Sequence, residues 1–180
     1  MRFYYDCEFL EDGRTIDLIS IGIVNDRGDE YYAVDLDAPW RRIRKHPWLV
    51  ENVLPSLPHT PDGHLDEYNS VFRERETIAE QVHQFLTGPG EPVELWAWYG
   101  AYDHVALCQL YGTMTDLPNG IPWWTNDLQQ EAHRLGVDPE QILPPAKDQH
   151  NALADAEWNW RLHVNLQAIA TVQQARGGFQ

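Results

Sequence analysis

Apolar and polar positions alternate most regularly at the start of the chain. Residues 2–9 (RFYYDCEF) are aromatic-rich and predict a strand. Residues 15–24 (TIDLISIGIV) form a nearly continuous β-branched run, which predicts a central strand covered on both faces. Asn25-Asp26-Arg27-Gly28 reads as a turn, and residues 30–36 (EYYAVDL) as a third strand. Such short connections imply an antiparallel meander. Residues 39–70 then break the pattern. Pro39, Pro47, Pro55, Pro58 and Pro61 allow only short helices there. Ile78, Val82, Phe85 and Leu86 recur at helical spacing within 73–86, and Gly88-Pro89-Gly90 stops that helix. Residues 92–98 predict a strand and residues 102–111 a helix. After a further short strand, Asn126 with Gln129 resembles a capping box, with Leu128, Ala132 and Leu135 inside the helix and Gly136 closing it. Residues 150–174 predict the last and longest helix. The order is α/β with a mixed sheet, and no linker divides residues 1–180, so one domain is expected.

Composition narrows the classes. Apolar residues make up 43%, which excludes a wholly disordered chain. The longest apolar stretch, Leu18 to Val24, falls far short of the ~20 residues of a membrane span. MRFYYDCEFL has no basic region followed by an apolar core, so no secretory signal is read there. Cys7 and Cys108 are too few for a disulfide framework, and both have apolar or aromatic neighbours. A reduced, cytoplasmic setting is expected. Charge is the odd feature: 13 Lys+Arg against 28 Asp+Glu give −15. A broad basic face for nucleic acid is not expected. Arg41, Arg42, Arg44 and Lys45 form the one basic cluster, either a solvated face or an edge that meets a polyanion.

Some of the acids stand where solvation does not explain them. Asp6 and Glu8 flank Cys7 and project from one face of the first strand. Two acids side by side on an internal strand repel each other unless a cation lies between them. Spacing alone says little, because about four acid-x-acid triplets arise by chance at this composition. What separates Asp6 and Glu8 is the apolar strand around them. Asp103 follows the strand at 92–98, where α/β sheets place chemistry, although a helix N-cap would also account for it. Asp155 lies among Ala152, Leu153, Ala154 and Ala156, five residues after His150. An acid on an apolar helix face needs a partner. Four acids suit hard divalent ions such as Mg²⁺, two of which can stabilise the attacking and leaving oxygens of a phosphodiester displacement. A histidine could serve as general base.

Asp6-x-Glu8, Tyr102-Asp103 and His150-x₄-Asp155, in that order, resemble the three motifs of the DEDD superfamily of 3′→5′ exonucleases, in the branch with a histidine base. Asp-Cys-Glu-Phe-Leu-Glu-Asp-Gly at 6–13 is similar to the RNase AS group of actinobacterial polyadenylate-preferring exoribonucleases. The resemblance spans residues 1 to about 175. It implies an RNase H-like fold with a five-stranded mixed sheet flanked by helices. It implies that Asp6, Glu8 and Asp155 bind one catalytic metal, that Asp6 bridges to a second, and that Asp103 holds the second partly through water. It implies two Mg²⁺ ions, with Mn²⁺ as a substitute. His150 would deprotonate the attacking water, the substrate would be the 3′ end of single-stranded RNA, and the products would be nucleoside 5′-monophosphates. It also implies a homodimer, and Phe9 and Leu10 as contacts to the terminal base. The sequence departs from the superfamily in having Phe9 where Thr is usual and Tyr99 where Asn is usual. Neither change removes a metal ligand, but both alter the pocket wall.

Three readings compete with an adenylate-preferring exoribonuclease. An oligoribonuclease or a proofreading-type DNA exonuclease would carry the same motifs. A silent nucleic-acid-binding scaffold would lack one of the five residues. A carboxylate-pair glycosidase would leave His150 and the fourth acid unexplained. Of the eight tryptophans, Trp123-Trp124 is the pair least suited to a core.

Overall fold

A computed structural model describes residues 1–177. Strands β1 (Arg2–Glu11), β2 (Ile16–Asn25) and β3 (Glu30–Asp35) form the expected antiparallel meander. The Pro-rich stretch folds into two short helices, α1 (Trp40–Ile43) and α2 (Pro47–Asn52), followed by a 3₁₀ turn at Leu54–Ser56. Then come β4 (Phe72–Arg73), α3 (Arg75–Thr87), β5 (Glu94–Ala97), α4 (Ala101–Gln109), β6 (Asn126–Asp127), α5 (Leu128–Leu135), α6 (Pro139–Ile142) and α7 (Ala152–Gly177). The sheet has six strands, in the order β4-β3-β2-β1-β5-β6, with β4, β5 and β6 added in parallel.

The sixth strand corrects the expected five. β4 is two residues long, too short for any periodicity, and it joins the sheet because the Val34 and Leu36 N–H groups donate to Val71 and Arg73. The capping box at Asn126 is also corrected. Asn126 lies in β6 and its amide donates to the Leu95 carbonyl at 3.0 Å. The neighbouring Asp127 is the N-cap of α5, accepting the Gln130 N–H at 3.0 Å. Gly136 ends α5 in the left-handed conformation, φ 68°, as its position predicted.

Helices cover both faces of the sheet. One face packs Phe3, Tyr5, Cys7, Ile21 and Ile23 against α3 and α4. The other meets α7 through Tyr4, Val24 and Ala156, and meets α1 and α2 through Leu10, Ile19, Val34, Ile43 and Leu49. The strand ladder skips a residue between Glu8↔Ser20 and Phe9↔Leu18, which marks a β-bulge. Both cysteines are buried. The basic cluster is half used internally: Arg42 pairs with Asp12 and Asp17, and Arg44 with Glu67.

Candidate active site

Sheet register brings the first two acids to the last helix. Asp6 lies opposite Gly22 and Glu8 opposite Ser20, so all four share the face under α7. Gly22 is required there. A Cβ on it would sit 2.3 Å from the backbone of Ala152 and Leu153, so only glycine lets the start of α7 rest on β2. That seating carries Asp155, in the first turn of α7, down to β1. The carboxylates of Asp6, Glu8 and Asp155 each offer an oxygen within 4.8 Å of the others. Asn159, one turn further along α7, donates its amide to the Tyr5 carbonyl at 3.0 Å and holds the helix to β1.

Asp103 reaches the same region from the opposite side of β1. It lies in the first turn of α4 but is not its cap, which is Gly100. Its buried carboxylate accepts the Cys7 N–H at 2.8 Å, a backbone group between the two β1 acids. Burial pushes the Asp103 carboxyl up to about 7, against the lowering effect of that hydrogen bond. Burial, then Asp155 and Asp103, raise Glu8 to about 8. Burial and the charges of Asp103, Glu8 and Asp155 raise Asp6 well above the usual carboxylate range. Burial also raises Asp155. Among the described residues, no Lys or Arg forms an ion pair with any of the four. An all-oxygen donor set, desolvated and without a cationic side chain, fits a hard divalent cation. Asp6, Glu8 and Asp155 could hold one directly, whereas Asp103 lines the same cavity without joining their cluster.

His150 precedes α7 and is held by its backbone. Its N–H donates to Asp155 at 2.8 Å, and its carbonyl accepts the Ser56 hydroxyl at 2.7 Å. It adopts φ 64°, a left-handed conformation that costs a non-glycine residue about 1–3 kcal/mol and clusters at functional sites. The exposed Trp48 ring packs edge-on against the imidazole, centroids 4.9 Å apart. Asn151 accepts the Ala154 N–H at 3.1 Å and starts the helix just after the turn.

These groups line one cavity of about 570 Å³, within the range of small-ligand sites. The four acids and His150 lie on its wall with a set of aromatic rings. Phe9 stacks on Tyr102, centroids 6.0 Å and 13° apart. Trp98 contacts Tyr99 and Trp158 edge-on. Phe9 and Tyr99, the two departures from the superfamily pattern, are both wall residues. Leu10 is not. It follows Glu8 on the same strand face but is buried, in the cluster with Ile43 and Leu49. α1 and α2 cover the sheet from that point on, so the structure does not bring Leu10 to the cavity. Trp123 and Trp124 are both more than half exposed. The sequence reading did not single out Trp48, Ser56 or Asn159. Gly22 does carry a signal in the sequence, since a glycine inside an apolar strand marks close backbone approach.

Among the described residues, six strands in a mixed sheet with helices on both faces define an RNase H-like fold, with buried carboxylates gathered beside the central strand. The solved structure of S. pombe Pop2p in its Mg²⁺- and Mn²⁺-bound form shares this fold, with a TM-score of 0.52 at 15% identity, over 93% of this chain and 82% of that one. The model of the 3′-5′ exoribonuclease Rv2179c-like domain matches residues 66–167, and the chain belongs to that family. Two Mycobacterium tuberculosis relatives, the 3′-5′ exoribonucleases Rv2179c and MT2234.1, are each 45% identical over 157 residues, 87% of either chain. The protein is thus an enzyme, a nuclease of an exoribonuclease family.

Proposed function

We propose that this chain hydrolyses single-stranded RNA from its 3′ end, releasing nucleoside 5′-monophosphates, with adenylate-rich RNA as the preferred substrate. The observation that carries the reading is the gathering of three carboxylates on the wall of an aromatic cavity that His150 shares. Asp6, Glu8 and Asp155 hold one divalent ion, and Asp103 contributes to a second. Mg²⁺ is the proposed ion, and Mn²⁺ can replace it. When bound, such ions supply Lewis-acid polarisation of the phosphate and lower the pKa of water.

The remaining work falls to the protein's own groups. His150 takes the proton of the attacking water as its oxygen bonds to phosphorus and the P–O3′ bond breaks, the O3′ leaving as the new strand end and taking a proton from solvent. Asp155 and Ser56 hold the His150 backbone so that the ring faces the cavity. The spacing His150-x₄-Asp155 supports this histidine-base form of the mechanism. Phe9, Tyr102 and Trp98 offer stacking surfaces for the terminal bases, worth ~1–3 kcal/mol each. Such contacts suit a chain of net charge −15, which grips a strand end without a long basic groove.

The catalytic unit proposed is the whole of residues 1–180, acting in the cytoplasm. Among the described residues no helix is long and apolar enough to cross a membrane. A homodimer is proposed, with a second copy covering the exposed Val105, Trp123 and Trp124. Product analysis tests the activity, using 5′-labelled oligo(A), oligo(U) and the matching DNA with Mg²⁺ or EDTA. A 3′-end ladder on RNA, fastest on oligo(A) and abolished by EDTA, is expected. A ladder on DNA alone would move the assignment to a DNA exonuclease.

A further inference from the structure

A polar atom buried without a partner is costly, so it marks an interaction left to be completed. Among the described residues, three buried side-chain oxygens have no partner: Ser20 Oγ, Tyr32 OH and Asn159 Oδ1. Two of them share the sheet face of the β1 acids. Ser20 is the direct cross-strand partner of Glu8, and Tyr32 is the partner of Gly22, which faces Asp6. Tyr32 is therefore diagonal to Ser20, within reach of a long side chain. Burial pushes the Tyr32 phenol up to about 12, opposed by the neighbouring Ser20 hydroxyl and reinforced by the Glu8 charge, so it stays a proton donor. Asp103 and Asp155 are each tethered by a backbone N–H. Glu8 has no such tether among the described residues.

We propose that Tyr32 and Ser20 are positioning residues for Glu8, their hydroxyls donating to one oxygen of its carboxylate while the other faces a divalent cation. The inference rests on the metal centre proposed above. A carboxylate has lone pairs enough for an ion and two donors. Neutral hydroxyls are the suitable donors, because a Lys or Arg at this place would neutralise Glu8 and compete with the ion. Such outer partners orient a ligand, and losing one typically weakens metal binding 10–100-fold.

The test is Mn²⁺ binding to the full chain by electron paramagnetic resonance, paired with the melting temperature in EDTA. Tyr32→Phe is expected to raise the Mn²⁺ Kd about 10-fold, with Ser20→Ala acting in the same direction. The EDTA melting temperature should hold or rise, since an unpartnered hydroxyl has been removed. Tyr111→Phe is the control. Its hydroxyl donates to the Ala79 carbonyl at 3.0 Å, so its loss should lower the melting temperature and leave the Kd unchanged. An unchanged Kd in both Tyr32→Phe and Ser20→Ala overturns the proposal. So does a weakened Kd with a matching fall in EDTA melting temperature, the mark of a structural role. A wild-type chain that binds no Mn²⁺, or an Asp6→Asn chain that binds it equally well, overturns the metal centre itself.

Discussion

The acid half of the site and the histidine half are built by different means. Asp6, Glu8, Asp103 and Asp155 stand on β1, α4 and α7, and their meeting depends on strand register and on one helix seated against the sheet. His150 stands on irregular chain. Its backbone is held by Asp155 and Ser56, and its ring is flanked by Trp48 from the Pro-rich segment. Register is a cooperative property of many residues, so the sheet as a whole sets where the acids stand, with the close approach at Gly22 as the one sensitive point. The histidine rests on a few contacts, so its orientation can be changed while the fold and the acid cluster persist.

The largest effect should come from the acid half. Asp6→Asn is expected to lower kcat ~10³-fold, while the melting temperature in EDTA holds or rises. The amide removes one of several charges that burial and mutual repulsion disfavour. A large fall in that melting temperature would show the carboxylate to be structural. His150→Ala should cost about 10²–10⁴-fold in kcat with Mn²⁺ affinity unchanged. Coupled loss of both would merge the two halves. Gly22→Ala tests the seating of α7. Overpacking against backbone typically costs 1–3 kcal/mol, and Mn²⁺ affinity should fall with the melting temperature. Ser56→Ala and Trp48→Ala should each lower kcat about 10-fold, the scale set by slight misplacement of a reacting group, without changing Mn²⁺ affinity.

A pH effect concerns a histidine away from the cavity wall. His163 is buried beside Tyr4 and Trp96, with the Tyr4 hydroxyl 3.0 Å from Nδ1. Burial, then the Arg2 charge, lowers it to about 4. A depressed histidine favours the folded state only while neutral. Its contribution is complete above pH 6.5 and is lost as pH falls toward 4, by about 3 kcal/mol in all. His163→Gln should flatten that part of the melting-temperature profile relative to wild type. Parallel profiles would refute the assignment.

Asp6, Glu8 and Asp155 stand out in the sequence because their neighbours are apolar, whereas His150, between Gln149 and Asn151, is marked only by its spacing to Asp155 in the superfamily resemblance. The meander and the long helices were legible because their periodicity extends over many residues. Strand β4 was not, since two residues carry no period. Asn126 and Asp127 are both good caps, and only the β6 pairing with β5 decides between them. Leu10 was assigned by analogy of position, and strand alternation does place it on the face of Glu8. What alternation cannot show is that α1 and α2 close over that face two residues later. Ser56 and His150 are 94 residues apart, and Asn159 and Tyr5 are 154 apart. Contacts at such separations follow from the completed fold, and no local pattern announces them.

The seat of α7 on Gly22 makes the first turn of that helix a latch. Asp155 lies in this turn and His150 hangs from it by one hydrogen bond. If the turn lifts, an acid and the histidine leave together, so local opening and loss of activity are one event. Occupancy of the cavity and protection of this turn must then rise in step. Amide exchange at residues 152–156 would read the state of the active site from the backbone alone.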